Sequence, residues 1–229
     1  MAGWYENKLR ELGLLKGDTL FIRVGMLLRC PTLYLASDRV DSIMYRGIEI
    51  HEIAQTIGRK LGYLPEYEVR LELGDKLVLV GHIDLLHPET HTLVEVKTTR
   101  DPEKKVYNEY LLQVSIYKWM LEKLSGEQWH PYILLVHDVS LFNDKLRPDI
   151  EVALLTATKH PVWTIEYTTV NLVAPTTTNP EKLVQEKTSL YYKQFRRNKT
   201  LPRIPGKHCE YCPLKDKCSE YLNPSKHSI

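Results

Sequence analysis

The spacing of apolar residues along the chain predicts an alternation of helices and strands. Apolar side chains that recur every three or four positions predict helical segments over residues 4–14, 32–62, 105–124 and 179–198. Runs rich in β-branched residues predict strands over residues 67–73, 76–84, 92–99, 131–139 and 162–172. Residues 140–160 favour neither structure. Most predicted strands therefore fall in the middle of the chain, between helical segments.

Turn signals join the three central strands closely. Gly74-Asp75 predicts a tight turn between the first two, and the polar link HPETH at 87–91 predicts a second hairpin. The segment RGIEIHEIAQTIGRKLG precedes these strands and predicts an amphipathic helix. Its apolar face is predicted to comprise Ile48, Ile53, Ile57 and Leu61.

Composition is that of an ordinary globular protein. The chain has 229 residues, 43% hydrophobic and 26% charged, enough for one domain or one domain with a small appendage. Its formal net charge of +2 excludes a global basic field, so any nucleic-acid surface must be local. We find no apolar run of membrane-spanning length and no signal-peptide pattern in MAGWYENKLRELG, so the expected location is the cytoplasm and no membrane partner is expected.

Four cysteines suggest a metal or cluster site. Three lie close together as CEYCPLKDKC, and the spacing C-x2-C-x5-C brings three thiolates around one centre. A fourth ligand is then needed, and only one other thiol exists. Zinc and iron–sulfur clusters both accept four thiolates, so the spacing does not choose between them. Reduced thiols in a surface loop and a disulfide pair are the alternatives. The cysteines are Cys30, Cys209, Cys212 and Cys218.

The second hairpin carries charged groups that apolar packing would not select. In GHIDLLHPETHTLVEVK, Asp84 closes the first apolar run, and Glu95 and Lys97 close the second. Two carboxylates at adjoining strand ends can hold one Mg²⁺ or Mn²⁺ ion. Alternation puts Glu95 and Lys97 on one face, while Val96 points into the core and keeps its carbonyl available as a ligand. Lysine there can orient or deprotonate water or stabilise charge on phosphate. The alternative is a surface ion pair.

Further residues fit the same centre. His51 lies on the amphipathic helix and can add a nitrogen ligand, which suits Mn²⁺ better than an all-oxygen shell would. Gln113 and Tyr117 are four positions apart on the helix after the third strand, hence on one face. They could meet the lysine or a DNA phosphate. Taken singly, these residues are more typical of an ordinary helix surface.

The joint pattern resembles a known family. In chain order it runs G-x3-H (Gly47 to His51), G-x2-D (Gly81 to Asp84), E-x-K and Q-x3-Y, with one cysteine before it and three after it. This resembles the RecB-type branch of the PD-(D/E)XK nuclease superfamily. It is similar above all to the iron–sulfur members, which include CRISPR-associated single-strand exonucleases and the nuclease domains of AddB-type helicase–nucleases. The resemblance covers roughly residues 28–222.

The resemblance implies a fold and two cofactors. The fold would be α/β, with a mixed central β-sheet flanked by helices. The metal, Mn²⁺ or Mg²⁺, would be bound by His51, Asp84, Glu95 and the Val96 carbonyl. Lys97 would be the catalytic lysine, and Gln113 and Tyr117 would complete the site. A cluster, 4Fe–4S more than 2Fe–2S, would be held by Cys30, Cys209, Cys212 and Cys218 and would staple the N-terminal helical part to the C-terminus.

The same resemblance implies the substrate and the organisation of the chain. It favours 5′-to-3′ trimming of single-stranded DNA in CRISPR adaptation, with partners from the integration machinery. One nuclease domain over 1–229 would comprise a helical part (1–62), a core (63–175) and a C-terminal helix with the cysteines (176–229). A non-catalytic DNA-binding scaffold and a four-cysteine zinc interaction module remain the alternatives.

Two basic stretches are candidates for phosphate contacts, because such contacts need local positive charge. Tyr191 and Tyr192 are candidates for base stacking. The alternatives are a solvated helix end for the charges and core packing for at least one tyrosine. The basic candidates are Arg100, Lys104 and Lys105 after the third strand, and Arg196, Arg197, Lys199, Arg203 and Lys207 before the cysteines.

Overall fold

A computed structural model describes residues 2–31, 42–100, 106–137, 143–160, 163–204 and 212. The chain divides into two compact units. The N/C unit consists of Met1–Arg39, Arg70–Val80 and Glu181–Ile229, and the central unit of Val40–Val69 and Gly81–Pro180. The segments predicted at 1–62, 63–175 and 176–229 stay a prediction.

Helices and strands account for most of the described residues. The helices are α1 (Ala2–Glu11), α2 (Val24–Leu28), α3 (Ser42–Lys60), α4 (Asn108–Ser125), α5 (Leu146–Ala157) and α6 (Glu181–Asn198). The strands are β1 (Leu15–Lys16), β2 (Thr19–Arg23), β3 (Leu64–Gly74), β4 (Leu77–His87), β5 (Thr92–Thr99), β6 (His130–His137), β7 (Ile165–Glu166) and β8 (Val170–Val173). No helix in this described part is long and apolar enough to cross a membrane.

The N/C unit joins the two ends of the chain. Strand β1 pairs antiparallel with β2, and β2 pairs in parallel with the first residues of β4. Helix α6 is tied to α2 because the buried Tyr191 hydroxyl donates to the Met26 carbonyl at 2.9 Å and the Lys187 ammonium donates to the Leu27 carbonyl. Hydrogen bonds therefore join α2, near the start of the chain, to α6, near its end.

The central unit contains a mixed sheet. The remainder of β4 runs antiparallel to β5, β5 runs parallel to β6, β6 runs antiparallel to β8, and β7 pairs antiparallel with β8. Both sheet faces are covered. Val94, Val96, Leu134 and Val136 pack into one core with α3 and α5, whereas α4 contacts β5 and β6. The expected α/β class with a mixed central sheet flanked by helices is confirmed for this unit.

Several predicted elements need correction. The strand predicted over 162–172 is two short strands, because the chain reverses between them and the Tyr167 N–H donates to the Val170 carbonyl at 2.8 Å. The alternating pattern simply continues across this turn. Residues 140–160 contain helix α5, whose helical period was masked by the exposed apolar residues Val152 and Leu155. Strands β1 and β2, of two and five residues, were too short to give a periodic signal.

The predicted apolar face of α3 is wrong in one residue. Ile48 is 45% exposed, whereas Ile50, Ala54 and Ile57 are buried and form part of the core. Ile48 and Ile50 are two positions apart, so a helix directs them to different sides. Ile53 is partly buried against the same core, as expected.

Candidate metal centre

Strands β4 and β5 bring the two predicted carboxylates together. Leu85 pairs with Val94 in the antiparallel ladder, so Asp84 and Glu95 are the next residues along the two strands. Both are buried, with exposures of 8% and 2%, which argues against a surface ion pair. The expectation that they lie at strand ends is wrong. After Asp84, the buried Leu85 and Leu86 continue β4 to His87. After Glu95, β5 continues through Val96 and Lys97 to Thr99, the end predicted for this strand.

The two carboxylate oxygens of Glu95 have different surroundings. Its Oε1 accepts from the Lys97 ammonium at 2.5 Å and from the Gln113 amide at 2.7 Å. Its Oε2 is buried and has no hydrogen-bond partner among the described residues. Burying a carboxylate oxygen without a partner costs free energy. A bound cation would offset that cost, so this oxygen is a candidate metal ligand.

The two carboxylate oxygens of Asp84 also have different contacts. Its Oδ2 accepts from the backbone N–H of Val96 at 2.7 Å, which fixes the carboxylate against β5. Its Oδ1 lies 3.6 Å from Nδ1 of His51, which extends from helix α3. The two strands and the helix therefore direct an aspartate oxygen and a histidine nitrogen toward one another.

A third acidic residue, which the sequence did not reveal, joins this group. Ligand atoms of His51, Glu66 and Asp84 all lie within 4.8 Å of one another. Glu66 lies near the start of β3 with a left-handed backbone, φ 50°, and its Oε1 accepts from the Gln55 amide at 2.6 Å. Left-handed geometry is uncommon for a glutamate and is often associated with functional sites. No apolar period or motif spacing marks such a residue.

Lys97 is held as a charged group. Burial disfavours its ammonium, but the nearby Glu95 and Asp84 carboxylates outweigh that effect and raise its pKa above the ordinary value. Its Nζ also lies 5.4 Å from the centre of the Tyr110 ring. Lys97 is therefore a cation fixed beside the carboxylate pair.

Helix α4 orients Glu95 through Gln113. The Gln113 amide donates both to Glu95 Oε1 and, at 2.9 Å, to the Tyr117 hydroxyl. Tyr117 is 3% exposed and fits because Gly81 has no side chain: a Cβ there would lie 2.8 Å from the Tyr117 ring. The glycine of G-x2-D thus allows the tyrosine to approach β4 and support the glutamine.

The electrostatics favour a bound divalent cation. Burial raises the pKa of Asp84 to about 7, and burial together with the nearby Asp84 charge raises that of Glu95 to about 8. Burial lowers the pKa of His51, so its ring tends to be neutral, as a metal ligand must be. Oxygen and imidazole ligands in one cluster suit Mn²⁺ or Mg²⁺. The residues present therefore fit the implied metal.

The remaining predicted residues are distributed more widely. Val96 is fully buried, as predicted; the role of its carbonyl stays a prediction. Arg100 follows β5 in the central unit, and Arg196 and Arg197 lie in the last turn of α6 in the N/C unit; all three are exposed. Tyr191 is fully buried, so the alternative of core packing holds for it and it is not available to stack on bases. Tyr192 is half-buried, and its role stays a prediction. Lys104, Lys105 and Lys207 lie outside the described residues.

The cysteines are described only in part. Cys30 is buried and Cys212 is half-buried, and both are free thiols of the N/C unit. Cys209 and Cys218 lie outside the described residues. The prediction of a four-cysteine cluster therefore stays a prediction.

The fold and the site together define the class of protein: a mixed-sheet α/β protein with a candidate metal centre. A mixed sheet carries a buried Asp and Glu on adjoining strands, a fixed lysine two residues after the Glu, and a histidine from a flanking helix. This is a candidate divalent-metal centre with a cation placed for chemistry on an anionic substrate.

Comparison with known proteins identifies the family. The family model for the PD-(D/E)XK nuclease superfamily matches residues 27–219. The chain therefore belongs to the PD-(D/E)XK nuclease superfamily, a nuclease fold, which supports metal-dependent nuclease activity. No curated protein matches the chain. A solved structure named "Crystal structure of SSO0001" is similar over 100% of this chain and 98% of that chain, with a TM-score of 0.55 and 14% identity. That likeness concerns the fold alone.

Proposed function

We propose that this chain is a metal-dependent DNA exonuclease that degrades single-stranded DNA from 5′ to 3′ and trims spacer precursors in CRISPR adaptation. The observation that carries the hydrolytic part is Glu95, which lies beside Asp84 and Lys97. Its Oε2 is buried and has no hydrogen-bond partner in the part of the chain that the structure describes. Support for the strand type, the polarity and the biological setting comes from the motif resemblance to CRISPR-associated RecB-type nucleases. The two parts therefore rest on different grounds and need different tests.

His51, Asp84 and Glu95 would hold the metal ion. Ligand atoms of His51, Asp84 and Glu66 lie within 4.8 Å of one another, and Glu95 lies opposite Asp84 on the neighbouring strand. When bound, Mn²⁺ or Mg²⁺ supplies Lewis-acid polarisation of a phosphoryl oxygen and lowers the pKa of water. The protein fixes the ligands beforehand. The Val96 N–H immobilises Asp84, and Lys97 and Gln113 immobilise Glu95, so each carboxylate presents its other oxygen in a set orientation.

Lys97 acts on the substrate side of this centre. Its ammonium stays charged at neutral pH because Glu95 and Asp84 raise its pKa. A cation fixed in a water-poor site stabilises negative charge that develops on the phosphate more than it stabilises the ground state. Lys97 therefore lowers the barrier to phosphodiester hydrolysis. Gln113, supported by Tyr117, holds the side chain of its partner Glu95 in position.

We also propose that Cys30, Cys209, Cys212 and Cys218 bind one iron–sulfur cluster, 4Fe–4S rather than 2Fe–2S. Cys30 lies two residues after α2, which is hydrogen-bonded to α6 within the N/C unit. A cluster linking Cys30 to the C-terminal cysteines would therefore reinforce a contact that the fold already makes. Integration proteins of the CRISPR system are the proposed partners, on the ground of the resemblance alone.

The direct test uses single-stranded oligonucleotides labelled at the 5′ or the 3′ end, with Mn²⁺ present. The proposal predicts early release of short 5′-labelled products, progressive shortening of 3′-labelled strands, and resistance of a single-stranded circle. Cleavage of the circle at the linear rate would contradict an exonuclease, and the opposite labelling order would contradict the polarity. Binding without cleavage of any substrate would favour a non-catalytic scaffold.

A further inference from the structure

A pair of aromatic rings extends from the candidate centre to the surface. Lys97 Nζ lies 5.4 Å from the centre of the Tyr110 ring, and the Tyr110 ring meets the Tyr107 ring edge-on, with centroids 5.5 Å apart and an angle of 90°. Tyr107 is 49% exposed. The chain of contacts therefore runs from Glu95 through Lys97 and Tyr110 to a ring in solvent.

Local structure does not account for a tyrosine at position 107. Tyr107 is the N-cap residue of α4, where serine, threonine, aspartate or asparagine would accept a hydrogen bond from the first turn. Its side chain makes no cap hydrogen bond. Among the described residues, it is the Tyr107 backbone carbonyl that accepts from the N–H groups of the first turn, those of Tyr110 and Leu111. Its exposure shows that core packing does not require it either. Neither helix stability nor the core selects this ring.

We propose that Tyr107 is a stacking platform for an unpaired nucleobase close to the phosphate that Lys97 contacts. Tyr110 can cover at most one face of the Tyr107 ring in an edge-on pair, so at least one face is left by that contact. Every base has a face that can stack on such a ring, so the contact needs no particular sequence. Inside a duplex both faces of a base are covered by its neighbours. The platform therefore selects a single strand or a frayed end.

This inference rests on the proposed nuclease function and deepens it. The phosphate backbone would be recognised by charge at Lys97 and the metal centre, whereas Tyr107 would hold the adjacent base and set where the strand lies. A residue that acts in this way affects substrate binding more than the hydrolytic step. Loss of the ring should therefore raise KM and leave kcat nearly unchanged.

The test compares Tyr107→Ser with the wild type on single-stranded DNA in Mn²⁺. Serine removes the ring but supplies a cap oxygen, so the melting temperature should be equal or higher. We expect KM to rise roughly 5- to 100-fold, the range of one base stacked on an aromatic ring. Tyr107→Phe should retain the wild-type KM. Trp163→Ser is the matched control, since that ring is 82% exposed, and it should leave KM unchanged.

Substrates with a single abasic position, scanned through the nucleotides around the cleaved bond, locate the contact. In the wild type, one abasic position should raise KM, and in Tyr107→Ser that penalty should disappear. If the wild type cleaves single strands but Tyr107→Ser has an unchanged KM and the same abasic penalties, the platform is refuted and the nuclease function stands. If the wild type cleaves no DNA, the proposed function itself fails. A lower melting temperature for Tyr107→Ser would assign the ring a structural role.

Discussion

In each carboxylate of the candidate centre, the protein holds one oxygen and leaves the other to bind a metal ion. Asp84 is held by a backbone N–H and Glu95 by two side-chain donors. This arrangement concentrates negative charge in a buried place, where burial raises the pKa of both groups. Ionisation of both groups therefore lowers the stability of the metal-free protein, and a bound divalent cation would offset this loss.

Lys97 is the residue whose loss should separate chemistry from metal binding. Lys97→Ala should lower kcat by roughly 10²- to 10⁴-fold, as for loss of a group that acts in the transition state. Mn²⁺ affinity should stay equal or increase, because a neighbouring positive charge is removed. Steady-state cleavage and Mn²⁺ titration calorimetry measure the two effects. Lys76→Ala is the control, since Lys76 forms an exposed pair with Asp18. Wild-type kcat for Lys97→Ala would reduce this lysine to a structural partner of Glu95.

Asp84→Asn should stabilise the metal-free protein while abolishing activity. Folding raises the pKa of Asp84 to about 7 and of Glu95 to about 8, above their unfolded values near 4. Their contribution to stability is therefore greatest at low pH and falls as pH rises toward 8. Asparagine keeps an oxygen for the Val96 N–H and removes one charge.

The gain in melting temperature of Asp84→Asn over the wild type in EDTA should therefore be larger at pH 8 than at pH 5. Differential scanning calorimetry at both values measures it. A variant that melts below the wild type at pH 8 in EDTA would show that the ionised carboxylate pair does not destabilise the metal-free protein.

At the scale of helices and strands, the period of apolar residues predicted the elements that have a long buried face. Strand β5 was predicted with the bounds it has, and α4 within three residues at its start, because both have long apolar faces. The four-residue spacing of Gln113 and Tyr117 correctly placed them on one face, where they hydrogen-bond. Glu66 was not predictable, because its place in the cluster depends on a left-handed backbone and on tertiary contact rather than on a period.

The corrected face of α3 can be checked by paired substitutions. Ile50→Ala should cost about 2–5 kcal/mol of unfolding free energy, since Ile50 is fully buried in the core against β4, β5 and α5. Ile48→Ala, the same change two residues away at an exposed position, should cost less than about 0.5 kcal/mol. Urea unfolding followed by circular dichroism gives both values. Equal costs for the two variants would contradict the orientation of α3.

At the scale of the whole molecule, the two ends of the chain belong to one unit, and the proposed cluster would link them. In the chain-entropy picture a crosslink over about 180 residues removes several kcal/mol of freedom from the unfolded state. Cys30→Ala should therefore lose iron and visible absorption and melt earlier, while Mn²⁺ affinity of the central unit stays unchanged. Iron analysis, absorption spectra and calorimetry measure this. Full iron content in Cys30→Ala would require another fourth ligand, for which His208 is the candidate; it lies outside the described residues.

The central claim is that Glu95 and its neighbours bind a divalent cation that DNA hydrolysis requires. The most direct measurement is the Mn²⁺ dependence of single-strand cleavage by the wild type and Glu95→Gln, a variant that keeps the shape and an acceptor for Lys97 and Gln113 but lacks the charge. The wild type should be inactive in EDTA and recover on addition of Mn²⁺. Glu95→Gln should remain folded, bind Mn²⁺ more weakly and stay at least about 100-fold less active at saturating Mn²⁺. Full wild-type activity in EDTA, or wild-type rates for Glu95→Gln, would contradict the account.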